Sequence, residues 1–243
     1  MKLLVSVKNT AEALEAVEGG GHIIDVKNPD EGALGANFPW VIRRVREVVP
    51  NEIEVSATIG DLPNLPGASS LAALGAAVSG ADYVKASLFG VKTPSEAAYL
   101  IGEVCRAAKE HDGSTKVIAA GYADYAKIGC LSPLEVPAVA HEAGADGAMI
   151  DVNVKTHGGL FELLSDEELR GFVEESHRLG LTAFLAGSLD MDDMARVFGL
   201  GADIVGVRRA VCRGKDRLKG AVHREAVGEL AEEIRRLQGS IKL

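Results

Sequence analysis

The stretch Gly144-Ala145-Asp146-Gly147-Ala148-Met149-Ile150-Asp151-Val152-Asn153-Val154-Lys155 sets a glycine turn, a short apolar run and a carboxylate–ammonium pair in succession. The glycine is of the kind that ends a helix in the left-handed region, and the run has the length of a buried strand rather than of a helix. Outward from it, Gly-Ala-Asp recurs at Gly80-Ala81-Asp82 and Gly201-Ala202-Asp203, and Gly19-Gly20-Gly21 stands before a further apolar run. Short β-branched runs lie near 3–7, 22–27, 53–58, 82–86, 115–120, 146–151, 181–186 and 203–207. Helical patterns such as Ala11 to Val17, Ser95 to Lys109, Asp166 to Leu179 and Arg224 to Leu237 separate them. Regular alternation of this kind predicts a parallel sheet built from βα units. Eight such units without a linker predict a single-domain (β/α)8 TIM barrel over 1–243, with an open doubly wound sheet as the alternative. The glycine-led turns then sit on the face that serves stability and carry no chemistry.

Composition narrows the partners. The 243 residues are 47% hydrophobic and 25% charged, which excludes a disordered chain. No apolar stretch reaches the length of a membrane span, and Leu3 to Val7 is too short for a signal peptide core. Cys105, Cys130 and Cys212 are odd in number, far apart and outside any zinc spacing, so the expectation is a reducing cytoplasm and no metal site. A net charge of −9 argues against nucleic acid or an anionic membrane surface and leaves a small metabolite as the expected ligand. Because barrels commonly associate, a homo-oligomer is expected by precedent alone.

The second run reads His22-Ile23-Ile24-Asp25-Val26-Lys27. Alternation puts Ile24 and Val26 toward the helices and turns Asp25 and Lys27 into the barrel near the strand's C-terminal end, where barrel enzymes keep their reactive groups. Lys85 between Val84 and Ala86, and Asp151 after Ile150 with Lys155 beyond, repeat the pattern in the fourth and sixth strands. Alternate strands share a layer of the interior, so Asp25, Lys27, Lys85 and Asp151 are expected to converge. Structural ion pairs Asp25/Lys27 and Lys85/Asp151 are the bland alternative, although buried pairs add little stability over apolar residues. Clustered lysines depress one another's basicity and leave a neutral amine able to attack a carbonyl, which is Schiff-base chemistry. Nothing in the pattern ranks the three lysines.

Downstream, Gly187 and Ser188 follow the seventh strand, and Gly206 with Arg208 and Arg209 closes the eighth. Loops at these positions often cradle a phosphate, so these five residues are expected to bind a phosphorylated substrate.

The segment Asp25-Val26-Lys27-Asn28-Pro29-Asp30-Glu31-Gly32-Ala33-Leu34-Gly35-Ala36-Asn37 resembles that of the (5-formylfuran-3-yl)methyl phosphate synthase family, and the resemblance runs from Leu3-Leu4-Val5-Ser6-Val7 to Gly206-Val207-Arg208. It implies an aldolase-like lyase that condenses two molecules of glyceraldehyde 3-phosphate, with loss of phosphate and water, in the first dedicated step of methanofuran biosynthesis. No metal or organic cofactor is implied. The resemblance also implies Lys27 as the Schiff-base residue, Lys85 as proton acceptor, and Asp25, Asp151 and Lys155 as the supporting site. Many members carry an acidic residue and a glycine directly after the last of these lysines, where this chain has Thr156-His157. An ordinary class I aldolase on triose phosphates and a non-catalytic barrel binding phosphometabolites are the rivals.

Overall fold

Eight short strands close on one another in chain order: β1 (Lys2–Val7), β2 (Ile23–Val26), β3 (Glu54–Thr58), β4 (Tyr83–Ser87), β5 (Lys116–Tyr122), β6 (Gly147–Asp151), β7 (Thr182–Ala186) and β8 (Ile204–Val207). All ladders are parallel, and β8 returns to β1 with Lys2 opposite Ile204 and Val5 opposite Val207. The computed structural model describes residues 1–240, so the end of the expected 1–243 domain lies outside the described residues. The closed parallel barrel is the expected one, and among the described residues its sheet has no open edge.

The principal outer helices are α1 (Thr10–Glu18), α2 (Pro39–Val48), α3 (Pro66–Val78), α4 (Pro94–His111), α5 (Val136–Glu142), α6 (Asp166–Arg178), α7 (Met194–Gly199) and α8 (Arg224–Gly239). Their starts are written locally. In α4, Thr93 accepts from the Glu96 amide while Glu96 reaches back to the Thr93 amide, and Pro94 occupies the first turn, where a missing N–H costs nothing. Ala97, Leu100, Ile101, Val104, Cys105 and Ala108 then recur at three- and four-residue intervals and bury one face against the sheet. Among the described residues no helix is long and apolar enough to cross a membrane.

Strand alternation divides the core in two. Leu3, Val5, Ile24, Val26, Val84, Ala86, Ala148 and Ile150 pack outward against the helices. Leu4, Ile23, Tyr83, Ile118, Met149, Phe184 and Ile204 fill the interior. Above this apolar floor, toward the C-terminal ends of the strands, the inward positions become Ser6, Asp25, Ser56, Thr58, Lys85 and Asp151, all buried.

The glycine-led turns have a mechanical role at the opposite end. Gly80, Gly144 and Gly201 adopt φ of 93°, 74° and 86°, and Gly20 does so at 87° in the triple-glycine turn. Each redirects the chain so that the next polar side chain caps the strand before. The carboxylate of Asp82 accepts from the Val55 amide at 2.7 Å, that of Asp146 from Val117 at 2.8 Å and that of Asp203 from Ala183 at 2.8 Å. His22 Nδ1 takes the same place for the Leu3 amide at 3.0 Å. The amides of these four residues bond in turn to the carbonyls of Val55, Val117, Ala183 and Leu3. Every even strand is therefore clamped at two points to the start of its odd neighbour. Asp146→Ala leaves the Val117 amide without its acceptor, and unfolding in denaturant is expected to show a loss of about 1–3 kcal/mol, with ligand binding at the far end of the barrel unchanged.

Candidate active site

At the C-terminal mouth a cavity, partly open to solvent, is lined by Lys27, Lys85, Asp151, Lys155, Gly187, Ser188, Gly206, Arg208 and Arg209. Asp25 lies beneath it, wholly buried. The sequence-derived candidates thus meet in one place although they come from both halves of the chain.

Lys85 and Asp25 make the deepest contact. Lys85 Nζ sits 2.7 Å from Asp25 Oδ1, and the two side chains are 1% and 0% exposed. The angles of this ion pair fall outside those of a hydrogen bond, so neither atom has a hydrogen-bond partner. The other Asp25 oxygen accepts from Ser6 Oγ at 2.9 Å. Asp151 forms a second pair, with Lys155 Nζ at 2.7 Å, and accepts from the Val152 amide at 2.7 Å. Burial alone would raise the Asp151 pKa, but the charges of Lys155 and Lys27 overcome it and hold the carboxyl at about 2. The pairings Asp25/Lys27 and Lys85/Asp151, entertained from alternation alone, are therefore replaced by Lys85/Asp25 and Lys155/Asp151.

Lys27 is left out of this pairing. It directly follows β2, is buried, and has no carboxylate within 4.0 Å among the described residues. Its amine donates to the Ala33 carbonyl at 3.2 Å. Desolvation lowers its pKa to about 8, with Lys85 and Lys155 pushing the same way and Asp151 and Asp25 opposing it. At pH 7 about one amine in ten is then neutral, against about one in three thousand for an ordinary lysine. Among the three lysines only Lys27 lacks a carboxylate partner, a distinction that sequence spacing could not draw.

The loop that receives Lys27 is fixed from several sides. The Asp61 carboxylate accepts from the Leu34 amide at 3.2 Å and from the Tyr122 hydroxyl. Thr58 Oγ1 donates to the Gly35 carbonyl at 2.7 Å. Burial and then the Asp61 charge keep the Tyr122 hydroxyl protonated well above the usual tyrosine range, so it acts as donor. Asp61 carries no periodic signal because it lies in a loop after β3, and Tyr122 ends β5.

Across the mouth, Gly187 and Ser188 turn with φ of 119° and 58°. A side chain at Gly187 would run into Val152, and a non-glycine residue at positive φ is held only where its surroundings demand it. Arg209 Nη2 donates to the Ser188 carbonyl at 3.0 Å and lies 3.5 Å from Asp190. Gly206 keeps the wall low, since a Cβ there would stand 3.1 Å from that of Ala186. Arg208 differs from its neighbour: its guanidinium is buried against Glu12 at 2.8 Å and the Ser6 carbonyl at 2.9 Å, so its charge is already matched. Arg217, from the long excursion after β8, also lines the cavity and was not singled out by the sequence pattern. The Thr156-His157 departure is anchored, His157 Nδ1 meeting Asp124 Oδ2 at 2.9 Å, while Lys155 keeps its pair with Asp151.

A sequence profile of the 4-HFC-P synthase family matches residues 3–231. The (5-formylfuran-3-yl)methyl phosphate synthase of Methanopyrus kandleri is 54% identical over 233 residues, covering 96% of this chain and 98% of that protein. The enzyme of the same name from Methanocaldococcus jannaschii is 51% identical over 232 residues, covering 96% and 99%. Among solved structures, 3-hexulose-6-phosphate synthase from Salmonella typhimurium superposes with a TM-score of 0.68 at 19% identity, over 98% of this chain and 100% of that one. Thiamine phosphate pyrophosphorylase from Pyrococcus furiosus gives 0.65 at 19% identity, over 97% and 96%. At that identity the two structures speak for the barrel alone.

Competitive labelling with acetic anhydride across pH is expected to show Lys27 reactivity rising through a midpoint near 8, below the 10.5 of an ordinary lysine. Because the folded pKa is depressed, the unfolded chain binds the extra proton between those values, and burial of charged Lys27 costs stability at every pH below about 8. Lys27→Met should therefore melt higher than the parent at pH 7, and that advantage should shrink as pH rises from about 8 to 10.5.

Proposed function

Since the chain belongs to the 4-HFC-P synthase family, we propose that it condenses two molecules of glyceraldehyde 3-phosphate into (5-formylfuran-3-yl)methyl phosphate through a Schiff base on Lys27, releasing one phosphate and two waters. On this reading the enzyme is a carbon–oxygen lyase of class I aldolase type, serving methanofuran biosynthesis in the cytoplasm. The observation that carries the proposal is the isolation of Lys27, the one lysine of the cluster with no carboxylate in contact and with its pKa at about 8.

The steps follow from the groups at hand. The neutral Lys27 amine attacks the aldehyde carbon, and the carbonyl oxygen leaves as water after taking up protons. Asp151 with Lys155, at 2.7 Å from each other, forms the relay nearest to this exchange. The imine makes the adjacent carbon acidic. Lys85, held in place beside Asp25, is the base that takes the proton from that carbon and leaves an enamine on Lys27. The enamine can expel phosphate from the next carbon, the C–O bond breaking with its electron pair on oxygen, or attack the aldehyde of the second triose. Ring closure and dehydration then give the furan, and hydrolysis of the imine frees Lys27. Gly187, Ser188, Gly206 and Arg209 would hold a phosphate at the cradle, with Arg208 stiffening its floor.

Incubation with glyceraldehyde 3-phosphate should release phosphate and build up the ultraviolet absorption of a conjugated furan aldehyde. Phosphate-retaining sugar products without that absorption would instead identify an ordinary aldolase. Borohydride added during turnover should fix the substrate to Lys27, as read by peptide mass mapping, and an unlabelled Lys27 would favour a non-catalytic binding barrel. Lys27→Arg keeps the charge but cannot readily form the imine, so turnover should vanish. Lys85→Gln, which retains a polar group beside Asp25, is expected to lower turnover by about 10²–10⁴-fold, the usual scale of general acid–base catalysis, with a smaller change in triose phosphate affinity.

A further inference from the structure

The reaction proposed above brings two phosphorylated trioses into one cavity, and a single cradle accounts for one phosphate. Six cationic side chains line that cavity: Lys27, Lys85, Lys155, Arg208, Arg209 and Arg217. Four of them already have a carboxylate within 4.0 Å, in the pairs Lys85/Asp25, Lys155/Asp151, Arg208/Glu12 and Arg209/Asp190. Among the described residues, Lys27 and Arg217 have none.

These two are neighbours through the backbone they share. Arg217 Nη2 donates to the Gly32 carbonyl at 3.0 Å, and Lys27 Nζ donates to the carbonyl of the next residue, Ala33, at 3.2 Å. Successive Cα atoms lie about 3.8 Å apart across a trans peptide, so the guanidinium and the amine reach the same turn of the same loop. The Gly32 contact is the only side-chain hydrogen bond of Arg217 among the described residues, which leaves most of the guanidinium fork open to a bidentate partner. Its stem is pinned, because the Arg217 carbonyl accepts from Arg208 Nε at 2.7 Å and Arg208 is itself locked against Glu12. A half-buried, unpaired arginine facing a cavity is a poor stabiliser and a good oxyanion ligand.

We propose that Arg217 binds the phosphate of the triose whose aldehyde is held by Lys27, separate from the cradle of Gly187, Ser188 and Arg209. The aldehyde carbon and the phosphate of one three-carbon substrate then span the gap between amine and guanidinium, and the second triose takes the cradle. The inference rests on the Schiff-base reading of Lys27 and adds the ligand for that substrate's other end.

The test compares borohydride trapping on Lys27 by glyceraldehyde 3-phosphate and by unphosphorylated glyceraldehyde, in the parent, Arg217→Gln, Arg217→Lys and Arg209→Gln. The parent is expected to favour the phosphorylated aldehyde. Arg217→Gln should reduce that preference at least tenfold while trapping of glyceraldehyde stays unchanged, which also shows that the amine and its loop are intact. Arg217→Lys should restore part of it, as a point charge without the fork. A preference that survives in Arg217→Gln, that is lost only in Arg209→Gln, or that is accompanied by an equal fall in glyceraldehyde trapping overturns the assignment. Absence of any Lys27 adduct in the parent removes the Schiff-base reading itself, a result separable from all of these.

Discussion

The ion pair between Lys85 and Asp25 is the constraint around which the mouth of the barrel is organised. Two opposite charges at 2.7 Å, with almost no exposure, lie directly above an apolar floor. Their attraction offsets a desolvation cost of several kcal/mol for each ion, and losing either partner would strand the other. The pair therefore fixes which strands must stay in register: Asp25 faces Ser56 of β3, and Thr58 of β3 faces Lys85. It also fills the centre of the site with matched charge. Any further lysine brought alongside meets a dry, crowded place with its nearest carboxylates already engaged.

Lys27 is in that position. Burial is the largest influence on its amine, and the pairing of Lys85 with Asp25 and Lys155 with Asp151 is why the two acids only partly counter it. Arranged otherwise, with Lys27 against Asp25, the same residues would hold a fully protonated and inert ammonium. The chemical character of the site comes from the assignment of partners more than from the number of lysines. The loop from Asn28 to Asn37 completes the arrangement, since it supplies the carbonyl that orients the amine and is itself tied to β3, the loop after β3 and the excursion after β8.

The two ends of the barrel divide the labour by chemistry. At the N-terminal end, glycine turns and short acids clamp strand to strand with hydrogen bonds of 2.7–2.8 Å, repeated at Asp82, Asp146 and Asp203. At the C-terminal end the inward residues are charged and the backbone at Gly187 and Ser188 is held at positive φ. Such a rim is expensive in stability, and the clamped lower half allows it to be rigid.

The wall and the inward positions were legible in the chain because both depend on local rules. A period of two assigns Asp25, Lys85 and Asp151 to the interior whatever the rest of the molecule does, and a glycine followed by a polar residue marks the entry to each even strand. The (β/α)8 class followed from eight such runs without a linker. What the tertiary structure alone decided was partnership: that Lys85 meets Asp25, that Lys155 takes Asp151, that Arg208 is spent on Glu12, and that Arg217 and Asp61 arrive from loops at all. Side-chain direction is set by the residues next door, whereas distances between charges are set by barrel closure and the return paths of loops, and it is those distances that leave Lys27 without a carboxylate partner.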